Sequence, residues 1–253
     1  MMNMPVLLVD NSNTRTKFRV YANGALQDEQ RVLPTAELGR ECINNILRGW
    51  QFRSAVVCSV VPSTAAIIAA SLDVPVRFIG VETAADWVDF SQYPGRATLG
   101  ADRVANSVAV AAKGILPVIA VDLGTAITFD VLVEGKEGKP CFAGGIIAPG
   151  FATIRHSFVG RTALLPEVTM PEELPLLGMG TEQALQSGIG LTCRGLVRET
   201  LYSIESYLGV KPYVVAVGGD AEWASSQLNL FDEIDPLLTF RGMLQMIQNE
   251  SLL

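Results

Sequence analysis

Twice in this chain an apolar run ends in an aspartate and gives way to small and hydroxyl residues: VLLVDNSNT at 6–14 and VIAVDLGTAITFD at 118–130. A short, uninterrupted apolar run is the pattern of a strand buried on both faces, and Asp, Asn, Ser and Gly behind it are turn formers. One such strand and turn constrains little. Two, with Asp10 and Asp122 close to half the chain apart, point to two related halves, each built on a buried strand that opens into an acidic turn. The length of 253 residues fits this, because single cores stop growing efficiently near that size.

Both halves continue alike. Behind the first turn, residues 17–21 alternate, Asn23-Gly24 is a hairpin signal and 25–33 resumes, which predicts a three-stranded meander. Leu38, Cys42, Ile43, Ile46 and Leu47 fall at helical spacing over 36–49; strands at 55–61 and 76–79 enclose a helix over 63–72. Residues 82–100, with Trp87, Tyr93, Pro94 and Gly95, read as a loop over a surface cleft, and 101–113 as a helix. The second half opens with strands at 118–121, 127–133 and 142–148, the charged residues 134–139 forming an exposed hairpin tip. A helix over 151–163 ending near Leu164-Leu165-Pro166, a proline-rich loop, a long helix over 181–208, a strand at 214–217 and an amphipathic 240–251 segment complete it.

Composition excludes several functions. Only 18% of residues are charged and 49% are hydrophobic, so a large core can be buried and disorder is not expected. A net charge of −7 argues against nucleic acid as a main partner. No stretch approaches the roughly 20 apolar residues of a membrane helix, and no leader pattern precedes Asp10, so a cytoplasmic protein without a membrane partner is expected. Cys42, Cys58, Cys141 and Cys193 lack metal spacing and read as buried thiols of a reducing compartment.

The residues that carry chemistry lie at the turns. Small residues behind a strand let backbone N–H groups approach phosphate oxygens, and the aspartate handles a cation or its water shell. Either Asp10 or Asp122 alone is explained as a turn residue; the repeat favours phosphate binding. In Gly100-Ala101-Asp102-Arg103, Asp102 is either an N-terminal helix residue that complements the dipole or the acceptor of a hydroxyl proton, with Arg103 binding an anionic group. Gly144-Gly145 and Gly218-Gly219 are tight turns or places where a nucleotide comes close. His156, the single histidine, has no catalytic motif around it and reads as a solvated or satisfied helix residue.

Taken together, these motifs resemble those of the type III pantothenate kinases. The family's D-x-G-N-T, G-A-D-R, D-x-G-T-A-x-T-F-D, G-G-x-I-x-P-G and G-G-D-A patterns correspond in order to 10–14, 100–103, 122–130, 144–150 and 218–221. Further similarity lies at Ser59-Val60-Val61-Pro62, Leu164-Leu165-Pro166, Gly180-Thr181 and Gln186-Ser187-Gly188. The resemblance implies an α/β fold of two duplicated actin-like (ribonuclease H-like) lobes, here 1–115 and 116–253, with a nucleotide cleft between them. It implies transfer of the ATP γ-phosphoryl group to the primary hydroxyl of pantothenate in the first step of coenzyme A synthesis, with Mg²⁺ and a monovalent cation, potassium or ammonium. Carried over by position, Asp102 is the proton acceptor, and Tyr93, Gly100, Ala101, Arg103 and Thr181 line the pantothenate pocket. Asp10, Asn11, Ser12, Asn13, Thr14, Arg15, Thr16 and Lys17 form the first phosphate loop, Thr125 touches ATP and Asp122 binds the monovalent cation. The family pattern is a homodimer. Two positions depart from it: Ser12 replaces the glycine of the first motif, adding a Cβ where backbone should meet phosphate, and Val217 replaces a hydroxyl residue before Gly218. Ser12 leaves open an alternative, a non-catalytic nucleotide-binding relative on the same scaffold.

Overall fold

The computed structural model describes residues 5–158, 165–171 and 173–248. The chain opens with β1 (Val6–Asn11), β2 (Arg15–Ala22), β3 (Ala25–Leu26) and β4 (Arg31–Pro34). It continues through α1 (Arg40–Ile46), β5 (Ser54–Ser59), α2 (Pro62–Ser71), β6 (Val76–Phe78) and α3 (Ala101–Ala111). Then follow β7 (Val118–Leu123), β8 (Ala126–Glu134), β9 (Pro140–Pro149), α4 (Phe151–Arg155) and α5 (Thr181–Leu208). The last elements are β10 (Tyr213–Val217), α6 (Ala221–Leu228), β11 (Glu233–Ile234) and α7 (Leu238–Gln248). Contacts group 1–116, 130–144 and 237–253 into one compact unit and 117–129 with 145–236 into a second. The division falls inside β8 and inside β9.

In the first unit the strand order is β3-β2-β1-β5-β6, with β4 also paired to β2. β1 is buried throughout, antiparallel to β2 and parallel to β5, which is why its sequence is apolar without alternation. Leu7, Val9, Phe18, Val20, Ala55 and Val57 from these strands pack with Ile43 and Leu47 of the α1 region and Ile68 of α2. Each large aliphatic side chain so buried contributes about 1.5–3 kcal/mol. The second sheet has the order β11-β10-β7-β8-β9. Its β7 has the same kind of neighbours as β1: β8, which follows after a two-residue connection, and the parallel β10.

Every residue of α3 except Asp102 is buried. The alanines and serine of this helix make that possible: Gly242 of α7 sits so close to the Ala105 carbonyl that a Cβ could not be accommodated, and Thr239 Oγ1 donates to Asn106 Oδ1 at 2.9 Å. Both contacts hold α7 against the helix that carries Asp102 and Arg103.

Several expectations need correction. The strand expected over 25–33 is two strands, because β2 pairs β3 at Tyr21–Ala22 and β4 at Arg15–Phe18 and the polar residues between them leave the ladder. The helix expected over 36–49 is confined to α1, preceded by a 3₁₀ turn at Thr35–Glu37 and an extended Gly39. Cys42 is exposed, since α1 turns Ile43 inward and the adjacent Cys42 outward; Cys58, Cys141 and Cys193 are buried. Residues 82–100 contain two 3₁₀ turns and are tied down by the Asp89–Cys141 bridge. The helix over 151–163 is short, with α4 giving way to a 3₁₀ turn at His156–Phe158; Leu164 and the far end of that expectation lie outside the described residues. The 181–208 helix is α5 itself, ended by Gly209 at φ 70°. His156 is bonded at both ring nitrogens, to Ala152 O at 2.6 Å and Glu167 Oε1 at 2.8 Å.

Candidate active site

In the first unit the polar residues gather at the C-terminal ends of the parallel strands β1 and β5, where α/β sheets offer backbone groups to ligands. β1 and β2 are paired as far as Asn11↔Thr16, and Ser12-Asn13-Thr14-Arg15 make the turn, closed by Ser12 N–H to Arg15 O at 3.1 Å. The register puts Asp10 opposite Lys17, and their side chains form an ion pair at 3.2 Å. Ser12 Oγ donates to Asp10 Oδ1 at 3.1 Å, and Ser12 is not among the residues of positive φ. The turn therefore has no need of glycine at this position, and the serine hydroxyl is used on the aspartate. Asn11 and Thr16 are buried and bonded to each other at 2.7 Å; Asn13, Thr14 and Arg15 are exposed, Ser12 and Lys17 half-buried. Of the eight residues expected in a phosphate loop, the exposed tip and Lys17 face outward, while Asn11 and Thr16 brace the tip from inside.

Asp102 stands at the first turn of α3, its Oδ1 accepting the Arg103 N–H at 2.7 Å. Gly100 leaves room for this carboxylate: a Cβ there would lie 2.6 Å from Asp102 Oδ1 and 3.6 Å from a Val60 methyl beyond β5. Burial pushes the Asp102 carboxyl above its ordinary range, the nearby Asp10 charge adds to the rise, and the N–H of Arg103 and its guanidinium oppose it. Such a carboxylate is a better proton acceptor than an exposed one.

Arg103 points into the protein. Its Nε donates to Asp130 Oδ1 at 2.7 Å and its Nη2 lies 2.6 Å from the same oxygen, with Asp130 fully buried. Burial alone pulls the guanidinium down, but the Asp130 charge and hydrogen bond outweigh it and the group is held above its ordinary value. The Arg103 guanidinium also lies 5.8 Å from the Phe142 ring centre, and Tyr93 meets that ring edge-on at 5.1 Å. Tyr93 and Arg103 thus meet in one aromatic and ionic cluster with Phe142 and Asp130, and Gly100, Ala101 and Asp102 immediately precede Arg103 in the chain. Sequence reasoning assigned no role to Asp130 or Phe142; an acid inside the otherwise apolar ITFDVLV run was the available signal for a buried cation partner.

In the second unit Asp122 is the penultimate residue of β7 and Thr125 is exposed in the connection to β8. Two glycines frame that connection. Gly150 donates its N–H to Thr125 O at 3.1 Å and lies against the carbonyls of Gly124 and Thr125, so no side chain fits there. Gly218 has φ 102°, and a Cβ on it would come within 2.5 Å of Leu123 O and 2.7 Å of Asp122 Oδ1. The late Gly-Gly-Asp-Ala segment therefore wraps the turn, with Asp220 N–H bonded to Leu123 O at 3.1 Å. Thr181 is the exposed first residue of α5 and belongs to this second unit, whereas Tyr93 and Arg103 belong to the first.

Asp122 brings a carboxylate to the end of β7, with the Leu123 carbonyl beside it against Gly218; oxygen donors of this kind suit hard cations. Among the described residues no three acidic, His or Cys side chains cluster as an all-protein metal cage. Mg²⁺ does not ask for one, since it keeps several waters and is shared with substrate phosphates.

Comparison with known proteins gives consistent results. A family model described as type III pantothenate kinase matches residues 6–203. The chain is 40% identical over 242 residues to a type III pantothenate kinase of Akkermansia muciniphila, covering 95% of this chain and 97% of that one. It is 34% identical to the corresponding protein of Methylacidiphilum infernorum, over 94% of this chain and 86% of the other. Among solved structures, a conserved putative Baf family transcriptional activator from Campylobacter jejuni aligns at TM-score 0.63 with 21% identity, covering 96% and 97% of the two chains. An activator of 2-hydroxyisocaproyl-CoA dehydratase from Clostridium difficile aligns at TM-score 0.52 with 12% identity, over 97% and 95%. At such identities these structures speak for the fold, which is of the actin-like α/β type with two sheets.

Proposed function

The chain belongs to the type III pantothenate kinase family, and from that premise we infer that it transfers the γ-phosphoryl group of ATP to the primary hydroxyl of pantothenate. The observation that carries the chemistry is Asp102, the one residue of α3 that is only half-buried, whose carboxyl is held above the ordinary range by partial burial and by Asp10. Phosphoryl transfer asks the protein mainly for positioning and charge stabilisation. In this reading Asp102 takes the hydroxyl proton as the bond to phosphorus forms, and Lys17 and the 12–15 turn meet the phosphates. Asp130 holds Arg103 through a hydrogen bond from Nε while Nη2 is left without a hydrogen-bond partner, and in this reading the guanidinium meets the pantothenate carboxylate. Tyr93 and Thr181 supply further pocket walls, and Thr125 contacts ATP.

Mg²⁺ bound with ATP neutralises phosphate charge when present. A monovalent cation, potassium or ammonium, belongs to this reading at Asp122, whose carboxylate is a suitable oxygen ligand. The lobes 1–115 and 116–253 are the duplicated halves of this reading. A homodimer is also part of it, supported by Leu191, Tyr202 and Tyr207, which expose apolar surface on α5. A cytoplasmic location is part of the reading too, and among the described residues no helix is long and apolar enough to cross a membrane. The non-catalytic alternative rested on the Cβ that Ser12 adds where backbone should meet phosphate, and the family match favours the kinase reading over it.

A test couples ADP release to a panel of hydroxyl acceptors, with potassium, ammonium or sodium as the salt. Pantothenate-dependent turnover that rises with potassium or ammonium is expected. Equal turnover with unrelated alcohols, or none with pantothenate under any cation, sinks the assignment.

A further inference from the structure

Thr35, in the 3₁₀ turn behind β4, is 4% exposed and touches the Ser12–Arg15 turn twice. Its Oγ1 donates to Ser12 O at 2.7 Å and its N–H to Thr14 O at 3.0 Å. Proton counting then fixes the direction of a longer relay. A hydroxyl has one proton; Thr35 spends its own on Ser12, so the 3.0 Å contact between Thr35 Oγ1 and Thr16 Oγ1 must be donated by Thr16. Thr16 in turn accepts from Asn11 Nδ2 at 2.7 Å. The Asn11 carbonyl oxygen accepts from Ser59 Oγ at 2.6 Å and Thr64 Oγ1 at 2.7 Å. The relay runs one way, from the end of β5 and the first turn of α2, through β1 and β2, to the carbonyl of Ser12.

A trans peptide holds its C=O and the following N–H on opposite sides. Drawing the carbonyls of Ser12 and Thr14 towards Thr35 therefore turns the N–H groups of Asn13 and Arg15 the other way, at the exposed tip of the turn. Successive amides aimed at one side form a concavity for anions. We propose that Thr35 is a positioning residue for the nucleotide polyphosphate: by clamping two carbonyls of the 12–15 turn, it orients the Asn13 and Arg15 amides towards phosphate oxygens. The proposal rests on the kinase reading above. It also accounts for a serine at position 12, because the turn is shaped by a clamp from behind rather than by glycine.

The test compares wild type, Thr35→Val, which keeps the shape and deletes the hydroxyl, and Thr35→Ser, which keeps the hydroxyl. Readouts are the KM values for ATP and pantothenate, ADP affinity by calorimetric titration, and the melting temperature. Thr35→Val is expected to raise the ATP KM and the ADP Kd about tenfold, about 1.4 kcal/mol, with the pantothenate KM unchanged and Thr35→Ser close to wild type. Thr16→Val, which removes the donor behind the clamp but leaves both contacts of Thr35, is expected to give a smaller rise in the same two constants, and it serves if the valine at 35 does not fold. A lower melting temperature with unchanged nucleotide constants in these variants makes Thr35 merely structural and overturns the proposal. Wild type that binds no adenine nucleotide overturns the kinase reading itself, and the proposal with it.

Discussion

Removing the Asp130 charge is the perturbation whose cost the structure defines best. Arg103 Nε and Nη2 lie 2.7 and 2.6 Å from one oxygen of a fully buried carboxylate. At an effective dielectric constant of about 20, charges that close attract by roughly 6 kcal/mol before desolvation is subtracted. Asp130→Asn keeps the volume and a carbonyl acceptor but leaves a buried guanidinium with no counter-charge from residue 130. Losing one partner of a buried pair costs about 3–5 kcal/mol. In a protein of this size each kcal/mol moves the melting temperature by about 2–4 °C, so a drop of roughly 6–20 °C is expected in a thermal melt. The kinase assay should show a raised pantothenate KM as well, because Arg103 is then free to leave its place beside Phe142 and Tyr93. The double variant Arg103→Met, Asp130→Leu should recover most of the stability and none of the substrate affinity, since apolar replacement of both partners is often neutral. An Asp130→Asn protein that melts within about 2 °C of wild type would refute the reasoning.

The other predictions concern the same elements. Asp102→Asn should lower kcat by about 10²–10⁴ while ADP affinity holds, which activity and calorimetry together would check. Because the folded Asp102 carboxyl titrates above its unfolded value, the folded state binds more protons between the two, and stability falls as pH rises through that window. The charge is a standing cost at neutral pH, so Asp102→Asn should melt higher than wild type there, and the acid limb of the wild-type kcat profile should lie above the ordinary carboxylate range. Gly100→Ala should displace the Asp102 carboxylate, lowering kcat with little change in the ATP KM or melting temperature. Gly150→Ala puts a methyl group onto two backbone carbonyls of the 123–126 turn and should cost about 1–3 kcal/mol or more, read by denaturant unfolding.

The parts of this molecule that were legible in the sequence are those where local chemistry and tertiary context agree. β1 and β7 were readable because strands buried on both faces are apolar without a break, and α5 because Gly180, Thr181 and Gly209 bracket a long periodic run. Asp102 was visible as a helix-start acid, but its difference from an ordinary dipole-complementing residue lies in the burial of the rest of α3, which α7 helps to provide from the far end of the chain. Asp130 and Thr35 stayed hidden for a related reason. Their partners are set by which strands are neighbours, and neither residue differs from common strand or turn residues until Arg103 and the Ser12 carbonyl are placed beside it. The β3–β4 break and the short α1 show the opposite failure, where hydrophobic spacing continued through residues whose backbone left the sheet or the helix.

The assignment of phosphoryl transfer to pantothenate, with Asp102 as proton acceptor, meets its most direct test in the product. Purified protein would be incubated with ATP, Mg²⁺, potassium and pantothenate, and the product examined by mass spectrometry and phosphorus NMR, wild type beside Asp102→Asn. Wild type is expected to yield pantothenate carrying one phosphate on its primary hydroxyl, formed in step with ADP, and Asp102→Asn to bind ADP as well but form the product at least a hundredfold more slowly. ADP released without phosphorylated pantothenate, or an Asp102→Asn rate equal to wild type, would contradict the account.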